Sequence, residues 1–145
     1  MIRGISIVVL SGLLMFAASN EALAQEEPAR TAVTGVKTFR TTMAGGEEGS
    51  TGRSGNAFVV VSPNSGRVCW GYDVEGVSPP TAAHIHEGAA GESGSPVVTL
   101  DLDGTCTLDV DRDIIVRIAS NPADFYVNIH NDDFPDGALR GQLGD

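Results

Sequence analysis

From residue 32 onward, glycine, proline, asparagine and aspartate cut the chain into short stretches whose side chains alternate in character, and this punctuation most restricts its fold. Phe125, Val127 and Ile129 alternate with Tyr126, Asn128 and His130, a period of two that puts each set on its own face of a strand. Residues 131–137 then turn the chain into 138–143, where Leu139 and Leu143 share one face and Arg140 and Gln142 the other. Residues 57–62 and 67–74 flank Pro63-Asn64-Ser65-Gly66 and read as a hairpin, with Val68, Trp70, Tyr72 and Val74 turned to the core. Residues 32–43 form a first strand, and the glycine-rich residues 44–56 an exposed loop. After Pro79 and Pro80 comes a short strand holding His84 and His86, then a glycine-rich loop over 88–96 and a strand over 97–102. Asp103-Gly104 reads as a hairpin turn into 106–110. One helix is expected, over 111–120, with an acidic first turn and Asn121-Pro122 as its stop. Seven or eight short strands define an all-β class: an antiparallel β-sandwich or open barrel, Greek-key or Ig-like, with one short helix.

The N-terminal residues have a different character. Arg3 precedes an apolar stretch over 5–18, and Ala22-Leu23-Ala24 supplies a small-x-small pattern before Gln25, the signature of a cleaved secretory signal. The stretch is interrupted by Ser6, Ser11 and Gly12, and no later segment is apolar for long enough to span a membrane. The expected organisation is a signal peptide over 1–24, a flexible leader over 25–31 and one domain over 32–145, exported to the periplasm or the exterior. Because the signal carries one Arg and one Glu, its removal leaves the net charge at −10. A surface of that sign excludes nucleic acid as a partner and attracts cations.

The sequence has two cysteines, Cys69 and Cys106. In an oxidising compartment they are expected to pair, closing a loop whose constraint is worth roughly 3 to 4 kcal/mol in the chain-entropy model. A nucleophilic role fits poorly, since Cys69 lies within a strand-like run with no helix start to lower its pKa.

All three histidines fall in strand-like segments: His84 and His86 in one, His130 in another. A His-x-His pair on a strand points both imidazoles the same way, and a third imidazole from another strand would complete three nitrogen ligands with an open fourth position, an arrangement zinc or copper accepts. Glu87, Asn128 and Arg140 are candidates for orienting the rings. The alternative is that the histidines organise turns, with Arg140 a buried strand residue paired to Asp136 or Glu87.

The motifs together resemble a known family. Val68-Cys69-Trp70-Gly71-Tyr72-Asp73-Val74-Glu75-Gly76, Ala83-His84-Ile85-His86-Glu87-Gly88, Gly94-Ser95-Pro96-Val97-Val98, Asn121-Pro122, Phe125 to His130 and Pro135-Asp136-Gly137-Ala138-Leu139-Arg140-Gly141-Gln142-Leu143 resemble the CHRD domain, named for chordin and also found alone in exported microbial proteins. The resemblance covers residues 31–143 and implies an extracellular, β-rich domain without enzymatic activity. It supplies no ligand. None of the cysteine-rich repeats that hold growth factors in chordin is present, so antagonism of a signalling protein does not carry over. A His-x-His strand with a disulfide is also similar to copper-zinc superoxide dismutase, but that enzyme needs more histidines than this chain has.

Two function classes follow: an exported module binding copper or zinc through His84, His86 and His130, or a structural, adhesive domain binding a protein or cell-surface polymer without metal. Calcium is disfavoured, since neither Asn131-Asp132-Asp133 with Asp136 nor Asp101-x-Asp103-Gly104 is closed by the glutamate of an EF-hand loop. Hydrolase chemistry is disfavoured too, because the chain has no Gly-x-Ser-x-Gly elbow.

Overall fold

The computed structural model describes residues 33–45, 52–103 and 106–144. The expected signal peptide and leader, and the turn glycine Gly104, lie outside the described residues. Among the described residues eight strands are formed: β1 Lys37–Gly45, β2 Ser54–Ser62, β3 Arg67–Glu75, β4 Ala82–Glu87, β5 Pro96–Thr99, β6 Cys106–Thr107, β7 Phe125–His130 and β8 Leu139–Gln142. They make a single antiparallel sheet in the order β5-β4-β7-β8-β1-β2-β3-β6. The two ends of the sheet approach each other. Thr107 Oγ1 donates to the Thr99 carbonyl at 2.8 Å and the Trp70 indole to the Asp101 carbonyl at 2.9 Å, so the sheet curls into a nearly closed barrel.

Alternation along each strand fills the interior. Val59 and Val61 from β2, Val68 and Trp70 from β3, Ile85 from β4, Val127 and Ile129 from β7 and Leu139 from β8 form one buried cluster. Removing each such side chain from water contributes roughly 1.5 to 3 kcal/mol. Helix α1, Arg112–Ser120, adds Ile115 and Ile118 to the same cluster. Its start is fixed by Asp111, whose side chain accepts from the Asp113 amide at 2.7 Å, and Asn121 ends it. The short 3-10 turn Pro122–Asp124 leads into β7.

Several features differ from the sequence expectation. Strand β1 begins at Lys37, since the residues before it find no core to pack on and Val36 is 63% exposed. Strand β2 begins at Ser54, inside the glycine-rich stretch expected to be loop. Gly55 is a packing glycine there: a Cβ would sit 2.7 Å from the Asp73 carbonyl of β3. Strand β5 ends at Thr99, and β6 does not pair with it across Asp103-Gly104 but lies at the opposite edge of the sheet, against β3. Tyr72 belongs to the inner face by alternation, yet it stacks on Trp70 with ring centres 4.7 Å apart and remains 36% exposed.

The disulfide explains the placement of β6. Cys69 and Cys106 are bonded and stand opposite each other in the β3–β6 register, so the bridge staples a two-residue strand that could not hold an edge alone. Reducing the bridge, or replacing both residues by serine, is expected to lower stability by about 3 to 4 kcal/mol for a loop of 37 residues. Urea midpoints with and without reductant measure it.

A three-histidine face on strands β4 and β7

The outer face of β4 and β7 carries the site. Strand register places His84 opposite Asn128, His86 opposite Tyr126 and Ala82 opposite His130, so β4 alternation brings His84 and His86 to the face that β7 lines with Tyr126, Asn128 and His130. Strand β8 extends this face with Arg140 opposite Asn128 and Gln142 opposite Tyr126. The three histidines therefore converge. One ligating nitrogen from each lies within 4.8 Å of the others, the one such group of histidine, cysteine or acidic residues among the described residues.

Ring orientation is set by the main chain. His86 Nδ1 lies 2.9 Å from the Gly94 carbonyl and His130 Nδ1 lies 2.8 Å from the Pro135 carbonyl. A carbonyl oxygen only accepts, so both Nδ1 atoms carry the proton and both Nε2 atoms present a lone pair. His130 Nε2 faces His84 Nδ1 at 3.1 Å, where His84 donates. His86 Nε2 is buried and has no hydrogen-bond partner. Leaving such an atom unsatisfied costs about 1 to 3 kcal/mol.

These contacts fit a metal ion. Two nitrogens bound to one ion at about 2.0 to 2.1 Å stand roughly 3 to 3.4 Å apart. The His84–His130 pair has that spacing. The three rings already pack with centres 5.1 to 6.0 Å apart, so small ring rotations would bring in His86. The proton between His84 and His130 is what an ion would replace.

The proposed orienting residues behave differently from expectation. Glu87 stands opposite Phe125, on the other side of the sheet from His86, and ion-pairs with Arg117 of α1. Its carboxylate makes no hydrogen bond or ion pair with a histidine among the described residues. Asn128 donates from Nδ2 to the Asp136 carbonyl at 3.1 Å, and its Oδ1 is buried without a partner. Arg140 pairs with neither Asp136 nor Glu87. Its guanidinium donates to the carbonyls of Glu92 at 2.6 Å and Ala89 at 2.8 Å and to Gln142 Oε1 at 3.0 Å, holding down the glycine-rich loop that follows β4. Gln142, buried, lies within hydrogen-bond distance of the Gly88 carbonyl of that loop.

Tyr126 is the residue that sequence reasoning missed. Its ring stacks on His86 with centres 5.0 Å apart, its hydroxyl accepts from the Gly94 amide at 3.2 Å, and the Arg140 guanidinium lies over the ring, 3.5 Å from its centre. Both Arg140 and His86 thus pack on Tyr126, and Gly94 holds the two rings, His86 through its carbonyl and Tyr126 through its N–H. Alternation already put Tyr126 on the face of His130; a stack with His86 needed the β4–β7 register.

Burial lowers the pKa of His84 and His86 below the ordinary 6.5, with His130 and His86 adding to the effect at His84, and His130 and Arg140 at His86. The hydrogen bond to Gly94 opposes it at His86. The unfolded chain therefore binds more protons than the folded one as pH falls through 6.5, so stability contributed by the neutral rings is present above that pH and is lost below it. The thermal midpoint of metal-free protein is expected to fall between about pH 7 and pH 5, and to fall less when His84 and His86 are glutamine.

Fold and site together define a small, disulfide-stapled antiparallel β domain with a preformed imidazole cluster on its outer face. The chain belongs to the CHRD domain family, whose model matches residues 39–143. No curated protein and no solved structure matches the chain. Among the described residues no helix is long and apolar enough to cross a membrane.

Proposed function

We propose that this protein is an exported, non-enzymatic binding module that takes up one zinc or copper ion on His84, His86 and His130. One observation carries the reading: the His86 and His130 rings are held at Nδ1 by main-chain carbonyls, one ligating nitrogen of each of the three histidines lies within 4.8 Å of the others, and His86 Nε2 is buried with no partner. A cation supplies that partner. Three imidazoles without sulfur suit zinc or copper(II), and the negative net charge favours the approach of either. Binding rather than catalysis is supported by the surroundings. Glu87, the carboxylate next to His86 in sequence, is committed to Arg117, while Arg140 and Tyr126 are spent on the loop. Export is supported by the disulfide, which persists in oxidising compartments.

An ion that binds only the folded state raises its stability, by about 2.7 kcal/mol at one hundred times its dissociation constant. Thermal denaturation with and without zinc chloride or copper(II) sulfate is expected to show a raised midpoint that chelator reverses. Equal midpoints at all metal concentrations would rule the reading out.

A further inference from the structure

The other half of the sheet carries a groove of about 550 Å³ on the outer face of β1, β2 and β3. Its floor follows from strand register. Arg40, Phe58 and Gly71 stand in one cross-strand row, and Thr42, Asn56 and Asp73 in the next but one. Gly71 leaves no Cβ beneath Phe58, where one would lie 2.5 Å from Cε1, so the ring lies flat over the bare backbone of β3. Covering a strand glycine with an aromatic ring accounts for the underside of Phe58. It does not account for the upper side: the residue is 42% exposed on a sheet face, flanked by polar groups.

Those groups are available. Among the described residues, the side chains of Arg40 and Asp73 make no hydrogen bond or ion pair, and Asn56 is engaged only by the Thr42 hydroxyl at 3.5 Å. A flat aromatic face bordered by an unpaired guanidinium, an unpaired carboxylate and an amide offers one apolar surface with planar donors and acceptors around it. A pyranose with equatorial hydroxyls has the complementary form. Its axial C–H groups make an apolar face that stacks on an aromatic ring, and its adjacent hydroxyls pair with planar side chains in two-point contacts. One positive and one negative charge in the groove leave no net attraction for an ion, and the overall charge of −10 repels polyanions. We propose that this groove binds a neutral glycan of glucose or N-acetylglucosamine type, with Phe58 as the stacking platform, Asp73 and Asn56 accepting from hydroxyls and Arg40 donating to them. The site is separate from the histidines and stands whether or not they hold metal.

The test is a titration of the ¹⁵N-labelled protein with cellotetraose and with the tetramer of N-acetylglucosamine, up to about 10 mM, beside tetragalacturonate as the anionic probe. The expected result is a set of shifted amides confined to the groove, including Phe58 and Gly71, with one of the neutral sugars, unchanged when the three histidines are alanine. Phe58→Ala, and independently Asp73→Ala, are expected to weaken binding about tenfold or more. Asp73 is exposed and unpaired, so its variant keeps the test decisive if the Phe58 variant does not fold. No groove shifts with either neutral sugar, shifts only with tetragalacturonate, or affinity unchanged in the folded variants would overturn the proposal.

Discussion

Replacing His86 by alanine is expected to lower affinity for zinc and copper(II) by on the order of 100-fold or more, since loss of a group that merely orients a ligand already costs about 10- to 100-fold. The fold is expected to survive. His86 sits on the outer face rather than in the main cluster, and the variant also removes a buried nitrogen that has no partner in the metal-free protein. What is lost is the stack on Tyr126 and the bond to the Gly94 carbonyl. Calorimetric titration with each ion, beside circular dichroism to confirm the fold, separates the two effects. Retained affinity in a folded His86→Ala protein would take this residue out of the site.

Gly94→Ala is expected to have the largest effect of any single methyl group added to the loop. A Cβ there would overlap the carbonyl of Glu87, and that strand-end backbone cannot retreat without disturbing the β4–β7 ladder. The loop must move instead. Moving it breaks the Gly94 contacts to His86 Nδ1 and to the Tyr126 hydroxyl, and loosens the anchors Arg140 makes at Ala89 and Glu92. Overpacking and the stranded polar groups together place the cost at about 3 kcal/mol. Because the same carbonyl fixes the His86 tautomer, metal affinity is expected to fall with stability, by about 10- to 100-fold. A urea denaturation curve and a zinc titration on the same sample measure both. A variant with full stability would show that the loop is not held by the site.

Much of this was legible in the residues. The alternation of Phe125, Val127 and Ile129 with Tyr126, Asn128 and His130 marks β7 and both of its faces, and Pro63-Asn64-Ser65-Gly66 marks the β2–β3 hairpin, whose observed register closes at Ser62 opposite Arg67. Asp111 and Asn121 mark the ends of the helix within a residue. Apart from the expected Cys69–Cys106 bridge, long-range strand pairing was not legible. Asp103-Gly104 has the form of a hairpin turn, but Cys106 is drawn to Cys69 on the far edge of the sheet, and a covalent bridge outweighs local turn preference.

The site divides in the same way. His84 and His86 share a face by strand geometry alone, whereas the approach of His130 depends on β4 and β7 being neighbours. Glu87, Asn128 and Arg140 were plausible partners for the rings because they carry side-chain donors or acceptors. The rings are instead held by the carbonyls of Gly94 and Pro135, which every residue possesses and which only the path of the loops selects. Arg140 then becomes the anchor of one of those loops rather than half of an ion pair.

The central claim is that the three histidines form one metal site. The most direct measurement is the metal content of untagged protein by mass spectrometry after loading with zinc or copper(II) and exhaustive dialysis, beside the variant with His84, His86 and His130 all replaced by alanine. About one equivalent of metal in the native protein and none in the folded variant is the predicted result. Equal metal in both proteins, or none in either, would contradict it.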